Sequence, residues 1–237
     1  MTTTLWLEDH ARELTGALEG LCTDAGTVSR WARLLAERLV AGGRLLVAGN
    51  GGSAAEAQHL TGELVGRFLT ERRPYSAICL SAETSALTAI VNDYGPDEAF
   101  ARQVEAHGRR DDVLILLSTS GASANVLAAA DRGRELGLHV WAMTGPGPNP
   151  LQARSHDTLC VAASSTAAIQ EMHLVVVHAL CAAVDAELGE LDGLVSRRPR
   201  PAAAAASAVP AQVNGPAQVN GPAQVNGPAQ VNGRTAT

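Results

Sequence analysis

Two short strings in this chain carry the residue types that bind an anion. Gly49-Asn50-Gly51-Gly52-Ser53 follows the apolar run Arg44–Ala48 (RLLVA), and Ser118-Thr119-Ser120-Gly121-Ala122-Ser123 follows Val113–Leu117 (VLILL); each leads into a stretch of helical spacing. The N–H groups left free at a helix start, and the positive end of the helix dipole, attract negative charge. Hydroxyls add donors without adding charge. Ser and Asn are also the preferred N-cap residues, so either loop alone reads equally as a capped helix. Capping needs one hydroxyl, however, and Ser118, Thr119, Ser120 and Ser123 put four into six residues, which fits a phosphate. The first loop lacks the lysine of a P-loop and matches G-x-G-x-x-G poorly, so a nucleotide is not its ligand.

Beyond the first loop, His59 and Glu63 are four residues apart and share a helix face. Such a pair can hold a divalent metal, and is also a common surface pair. Later, Gln170 and His178 are eight apart, roughly 80° around a helix and 12 Å along it, so they do not converge easily on one atom. His178 follows three valines, a setting equally suited to a buried, hydrogen-bonded histidine.

These residues need a scaffold, and the hydrophobic pattern supplies one. Continuous apolar runs at Arg44–Ala48, Ser76–Leu80, Val113–Leu117, Leu138–Met143 and Thr158–Ala162 suit strands buried on both faces. Helical spacing marks 5–21, 27–41, 53–68, 97–107, 122–136 and 166–189, the second ending at Gly42-Gly43. Strand and helix in alternation predict an α/β domain, a five-stranded parallel sheet flanked by helices, with N-terminal helices and a long C-terminal helix. In such sheets ligands bind at the carboxyl ends of the strands, near the topological switch, which is where both loops fall.

Composition narrows the partners. All 18 basic residues are arginine; four (Arg197, Arg198, Arg200, Arg234) lie beyond residue 196, leaving 14 against 24 acids in the body, a net charge of −10. An acidic body argues against nucleic-acid binding. There is no uninterrupted apolar run of about 18 residues, so no membrane span is expected. The N-terminus has no basic segment before an apolar one, so it does not read as a secretory signal. Cys22, Cys79, Cys160 and Cys181 form no C-x-x-C pair and read as buried, reduced thiols of a cytoplasmic protein. From Arg197 the text changes: PAQVNG occurs four times, starting at Pro210, Pro216, Pro222 and Pro228. One Val per unit is too little to bury, so 1–196 reads as the domain and 197–237 as a disordered tail rather than a hexapeptide β-helix.

The strings AGNGGSAAEAQHLTGELVGRF, AIVNDYGPDEAFARQVEAHGRRDDVLILLSTSGASANVL, AMTG and AIQEMHLVVVHAL, in that order over roughly residues 30–185, resemble the sugar isomerase (SIS) domain, of flavodoxin-like fold. E-L-x-G-R with I-Q-E-x-H-x-x-x-x-H narrows the resemblance to the phosphoheptose isomerases. It implies isomerisation of sedoheptulose 7-phosphate to D-glycero-D-manno-heptose 7-phosphate through an enediol, chemistry that needs a base, an acid near the oxygens and a stabiliser of charge. Carried over residue by residue, it implies Glu63 as base and His178 as its acid/base partner. Substrate contacts fall on Asn50, Gly51, Gly52, Ser53, Glu63, Asn92, Asp93, Ser118, Thr119, Ser120, Ser123 and Gln170, with Arg67 beside them. It implies zinc, one per subunit, on His59, Glu63, Gln170 and His178, and a homotetramer with sites at subunit interfaces, its late helices packed together. The chain departs from the pattern at Ala122 and at Ala167-Ala168, which bears on sugar specificity.

A non-catalytic SIS adaptor that binds the replication initiator resembles the loops nearly as well. It lacks the carboxylate and the imidazole matching Glu63 and His178, and proton transfer requires those groups. A ligand-sensing SIS module of a regulator is the third class; no DNA-binding segment precedes the match, which speaks against it.

Overall fold

A computed structural model describes residues 2–196; the repeat-bearing stretch 197–237, with the tail expectation placed on it, lies outside the described residues. In chain order the elements are α1 (Thr3–Thr23), α2 (Ala25–Val40), β1 (Leu45–Gly49), α3 (Gly52–Val65), β2 (Ala77–Cys79), α4 (Thr84–Tyr94), α5 (Glu98–His107), β3 (Val113–Ser118), α6 (Ala124–Glu135), β4 (His139–Thr144), α7 (Pro150–Arg154), β5 (Asp157–Cys160) and α8 (Thr166–Ser196). The strands pair in the order β2-β1-β3-β4-β5, all parallel. That order reverses direction between β1 and β3, so the two glycine- and hydroxyl-rich loops leave neighbouring strands at the switch point. Register fixes their heights: Gly49 lies opposite Leu117, and Ser118 opposite Thr144.

The apolar runs are continuous because both faces are covered. Leu45, Val47, Val113, Ile115, Leu117, Trp141 and Met143 face a core closed by α1, α2, α3 and α8. Leu46, Ala48, Leu114, Leu116, Val140 and Ala142 face a smaller core under α5 and α6. On α2 the stripe Trp31, Ala32, Leu35, Ala36 and Leu39 is buried, and Trp31 stacks on Trp141 at 4.9 Å between centroids. Two helices fell outside the sequence expectation. Helix α4 buries no residue, so it has no apolar stripe to read; the Glu83 carboxylate caps it at Ser85 and Ala86. Helix α7 has five residues, too few for a period, and starts at an Asn149 cap with Pro150.

Two expectations need correcting. The four cysteines are free, but only Cys181 is buried; Cys79 and Cys160 are half-buried on short edge strands and Cys22 is exposed on α1. The stretch Thr166–Leu191 of α8 has mean hydropathy 1.6, enough by length and composition alone to cross a membrane; isolated polar residues had hidden this. Half of that stretch is buried inside the domain, against α1, α2 and α3, which accounts for its apolar surface.

The start of α8 is tied down from α1. Glu13 accepts from the backbone N–H of Ser164 (2.6 Å) and Ser165 (2.9 Å) and from both their hydroxyls (2.7 and 2.8 Å). These bonds, the Ser164 hydroxyl foremost, hold its carboxyl at about 2. A carboxylate held low supports the fold above its ordinary value near 4.5 and loses that support as pH falls toward 2. Glu13→Ala is expected to lower Tm at pH 7 and to speed hydrogen exchange of the Ser164 and Ser165 amides; unchanged exchange would show that the clamp does not hold α8.

Candidate active site

The two loops meet in a small pocket of about 50 Å³, lined by Asn50, Ser53, Leu117, Ser118, Thr119, Ser123 and Gln170. None of these side chains is charged. The starts of both following helices lack a side-chain cap. Ser123 occupies the N-cap position of α6, yet its hydroxyl sits 3.4 Å from that of Ser118 rather than on the helix. The hydroxyls are therefore not spent on capping, and both helix starts keep donors for an anion. Ser120 turns away from the lining and accepts from Ala122 N–H at 3.2 Å, while Ser118 accepts from Gly121 N–H at 3.1 Å.

Glycine is required twice here by close approach. A Cβ on Gly52 would stand 2.5 Å from the Gln170 amide nitrogen, so only glycine lets α8 press its Gln170 onto the first loop. At Gly121, φ is +60° and a Cβ would meet Asn149 at 2.2 Å. A residue that sequence reasoning missed joins the loops. Asn125 exchanges two amide hydrogen bonds with Asn50, at 2.9 and 3.0 Å; its position as the second residue of α6, directly after the hydroxyl loop, was the available signal.

Below the pocket, α3 and α8 run parallel and pair polar residues in rungs. Gly52 meets Gln170 at the top. Next, buried Glu56 faces fully buried His173, Oε2 to Nδ1 at 3.8 Å, while His173 Nε2 lies 3.2 Å from the Thr144 carbonyl. Third, His59 Nε2 lies 3.1 Å from Glu63 Oε1 and 3.3 Å from His178 Nε2. Phe68 stacks on the His178 ring at 5.9 Å. Glu56 and His173 were also missed: both stand within the matched strings, three residues after Ser53 and Gln170, on faces that only the helix pairing reveals.

The donor types and spacings of the third rung suit a tetrahedral zinc, in which ligand atoms at about 2.0–2.1 Å from the ion stand roughly 3.3 Å apart. The fit is incomplete within one chain. His59 stands between Glu63 and His178, which make no ion pair with each other, and no closed group of three His, Cys, Asp or Glu exists among the described residues. Gln170 is two rungs away. Asn92 and Asp93 are exposed on α4, hydrogen-bonded to each other at 2.8 Å, and do not line the pocket. Arg67 is exposed and pairs with Glu71 at 3.8 Å.

A sheet of this order with an uncharged anion pocket at its switch point and an imidazole–carboxylate cluster beside it defines a sugar-phosphate-handling α/β domain. The SIS domain model matches residues 9–145, and the chain belongs to the SIS domain family. Within it the chain belongs to the phosphoheptose isomerase branch. It is 62% identical over 179 residues to the phosphoheptose isomerase of Streptomyces coelicolor, covering 76% of this chain and 78% of that one. It is 45% identical over 176 residues to the Helicobacter pylori phosphoheptose isomerase, covering 74% and 90%. Among solved structures, the phosphoheptose isomerase of Francisella tularensis superposes with a TM-score of 0.74 at 35% identity, over 78% of this chain and all of that one. That of Neisseria gonorrhoeae gives 0.72 at 39%, with the same coverage.

Burial holds Glu56 up at about 7 and His173 down at about 4, so both are neutral in the folded chain near pH 6. Glu56 supports the fold below pH 4.5 and that support is lost as pH rises through 7; His173 supports it above 6.5 and that support is lost as pH falls through 4. Between 4.5 and 6.5 the two slopes oppose. Glu56→Gln removes one, so the variant's stability, read from urea midpoints, is expected to fall between pH 6.5 and 4 more steeply than the wild type's, by up to about 3 kcal/mol. Parallel profiles would show that the pair does not hold opposed shifts.

Proposed function

We infer that this chain is an aldose–ketose isomerase interconverting sedoheptulose 7-phosphate and D-glycero-D-manno-heptose 7-phosphate. The observation that carries the reading is the placement of the Glu63–His59–His178 cluster along α3 and α8, the two helices that contribute Ser53 and Gln170 to the pocket. From Ser53 the axis of α3 rises roughly 9 Å to His59 and 15 Å to Glu63, and helical side chains lean back toward the N-terminus. An extended heptose 7-phosphate spans roughly 9–10 Å from C1 to phosphorus at ordinary bond geometry. The phosphate held in the pocket therefore leaves C1 and C2 at the cluster.

The Glu63 carboxylate takes a proton from C1 of the ketose, the C1–C2 bond becomes an enediol, and the same proton is returned at C2. His178 delivers a proton to the C2 oxygen and accepts one from the C1 oxygen, which completes the aldose. Asn50, Gly51, Gly52, Ser53, Ser118, Thr119 and Ser123 supply the phosphate grip, whose binding energy positions the reacting carbons; Ser120, expected among them, faces away from the pocket.

One zinc per subunit belongs to this proposal: His59, Glu63 and His178 would hold it, Gln170 of the expected set standing two rungs away, and it would supply Lewis-acid polarisation of the sugar oxygens. A carboxylate that also binds metal is a weaker base, so the two roles of Glu63 compete. A homotetramer completes the picture, because Gln170 is distant from His178 and Asn92 and Asp93 are outside the pocket of their own chain. A second copy would supply Asn92 and Asp93 to such a site, while Gln170 lines the pocket of its own chain. Exposed Leu5, Trp6, Leu7 and Val175 on α1 and α8 are surfaces such packing would cover. We place the enzyme in the cytoplasm, with neither nucleic acid nor membrane as partner. None of the relatives named above is an adaptor.

Incubation with sedoheptulose 7-phosphate is expected to give the aldose, followed by NMR. Glu63→Gln and His178→Gln should each lower kcat about 10²–10⁴-fold; wild-type rates in both would overturn the assignment. Sedimentation should give four times the 24.5 kDa chain mass. Elemental analysis of protein purified without chelator should find about one zinc per chain, and none in a His59→Ala/His178→Ala variant; zinc-free wild type would remove the metal from the proposal.

A further inference from the structure

The segment that leaves α3 sends an arginine back beneath the proton-transfer cluster. Arg72 is almost covered, its side chain 10% exposed, and so is Asp185, at 11%. The guanidinium Nε donates to Asp185 Oδ1 at 2.7 Å. Nη2 donates to the backbone carbonyl of Glu63 at 2.8 Å. Nη1 donates to Leu64 O at 3.0 Å and reaches Arg73 O at 3.2 Å and Gly66 O at 3.5 Å. The Tyr75 ring lies 5.5 Å from its central carbon.

Part of this is ordinary capping: the last carbonyls of a helix have no partner within it, and a cation there is favourable. What exceeds capping is where the other end is fastened. Asp185 stands seven residues beyond His178 on α8, two turns on and nearly the same face, roughly 10 Å along the axis. One rigid planar group thus bonds at once to the main chain of Glu63 and to the helix face that carries His178. On the other side of the cluster the same two helices meet at the Glu56–His173 rung, whose facing atoms stand 3.8 Å apart.

We propose that Arg72, anchored by Asp185, is a positioning residue for proton transfer: its guanidinium fixes the main chain of Glu63 relative to α8 and so sets the gap across which Glu63 and His178 serve the substrate. This rests on the acid/base roles given above. Lysine carries the charge but not the fork of fixed donors, so it pairs with Asp185 without holding the carbonyls. Misplacement of a reacting group by about 1 Å can cost about 10²-fold in rate, whereas the phosphate pocket, at the opposite end of α3, is untouched.

The test compares wild type, Arg72→Lys, the apolar double variant Arg72→Met/Asp185→Leu and Glu63→Gln in the sedoheptulose 7-phosphate assay, with folding checked by circular dichroism at the assay temperature. A buried ion pair replaced on both sides by apolar groups often keeps its stability, so the double variant separates positioning from folding. The expected result is folded protein with kcat down about 10-fold in Arg72→Lys and about 10²-fold in the double variant, and KM within about two-fold of wild type in both. Folded variants with wild-type kcat, or a loss confined to KM, overturn the proposal; if the double variant does not fold, Arg72→Lys decides on the same criteria. Wild-type activity in Glu63→Gln would instead sink the acid/base reading, and the proposal with it.

Discussion

The parallel packing of α3 on α8 is the constraint on which the rest depends. Two helices that run together for three turns bring each polar residue of one against a fixed residue of the other, so the polar groups along this face are placed by one interhelical register. Gly52 against Gln170, Glu56 against His173, and His59 between Glu63 and His178 are successive readings of it. Such an interface is costly unless each buried polar group finds a partner. The apolar flanks offset that cost: Leu60 and Leu64 on α3, and Met172, Val176, Val177 and Leu180 on α8, are nearly solvent-free.

The sheet sets where this helix pair begins. Both loops leave adjacent strands, β1 and β3, and the register Gly49 to Leu117 brings them to the same height. The Asn50–Asn125 amide pair then locks one loop to the helix that follows the other. From the other side Glu13 anchors the chain just before α8, so the pocket wall contributed by Gln170 is held by α1 as well.

Much of the scaffold was legible from the sequence because its signals are local. The five apolar runs became the five strands within a residue or two, and of the loop residues expected at the substrate Asn50, Ser53, Ser118, Thr119 and Ser123 line the pocket while Gly51, Gly52 and Ser120 do not. What failed was either too short to have a period, as in α7, or unburied and so without a stripe, as in α4. The missed site residues failed for a different reason. Glu56, His173, Arg72, Asp185 and Asn125 have their meaning only in the residue opposite, and no spacing within one segment reports what a second segment places there. The i,i+8 separation of Gln170 and His178 shows the converse: spacing alone kept them apart, and the structure puts them two rungs from each other.

Electrostatics explains why the second carboxyl on the α3 face must be buried as it is. The chain body is acidic, and the pocket proposed to hold the phosphate is lined without a single charged side chain. Its attraction comes only from hydroxyls and from the partial positive charge of two helix starts, an amount comparable to one elementary charge in all. An ionised carboxylate one turn below Ser53 would cancel much of that. Burial keeps the Glu56 proton on up to about pH 7, and the neutral acid has the His173 Nδ1 lone pair in front of it, since Nε2 is engaged with the Thr144 carbonyl. Glu63, further along α3, is the more exposed of the two, its side chain 24% accessible against 10% for Glu56. Two acids on one helix face thus stand at different depths, and burial keeps the one beside the pocket neutral.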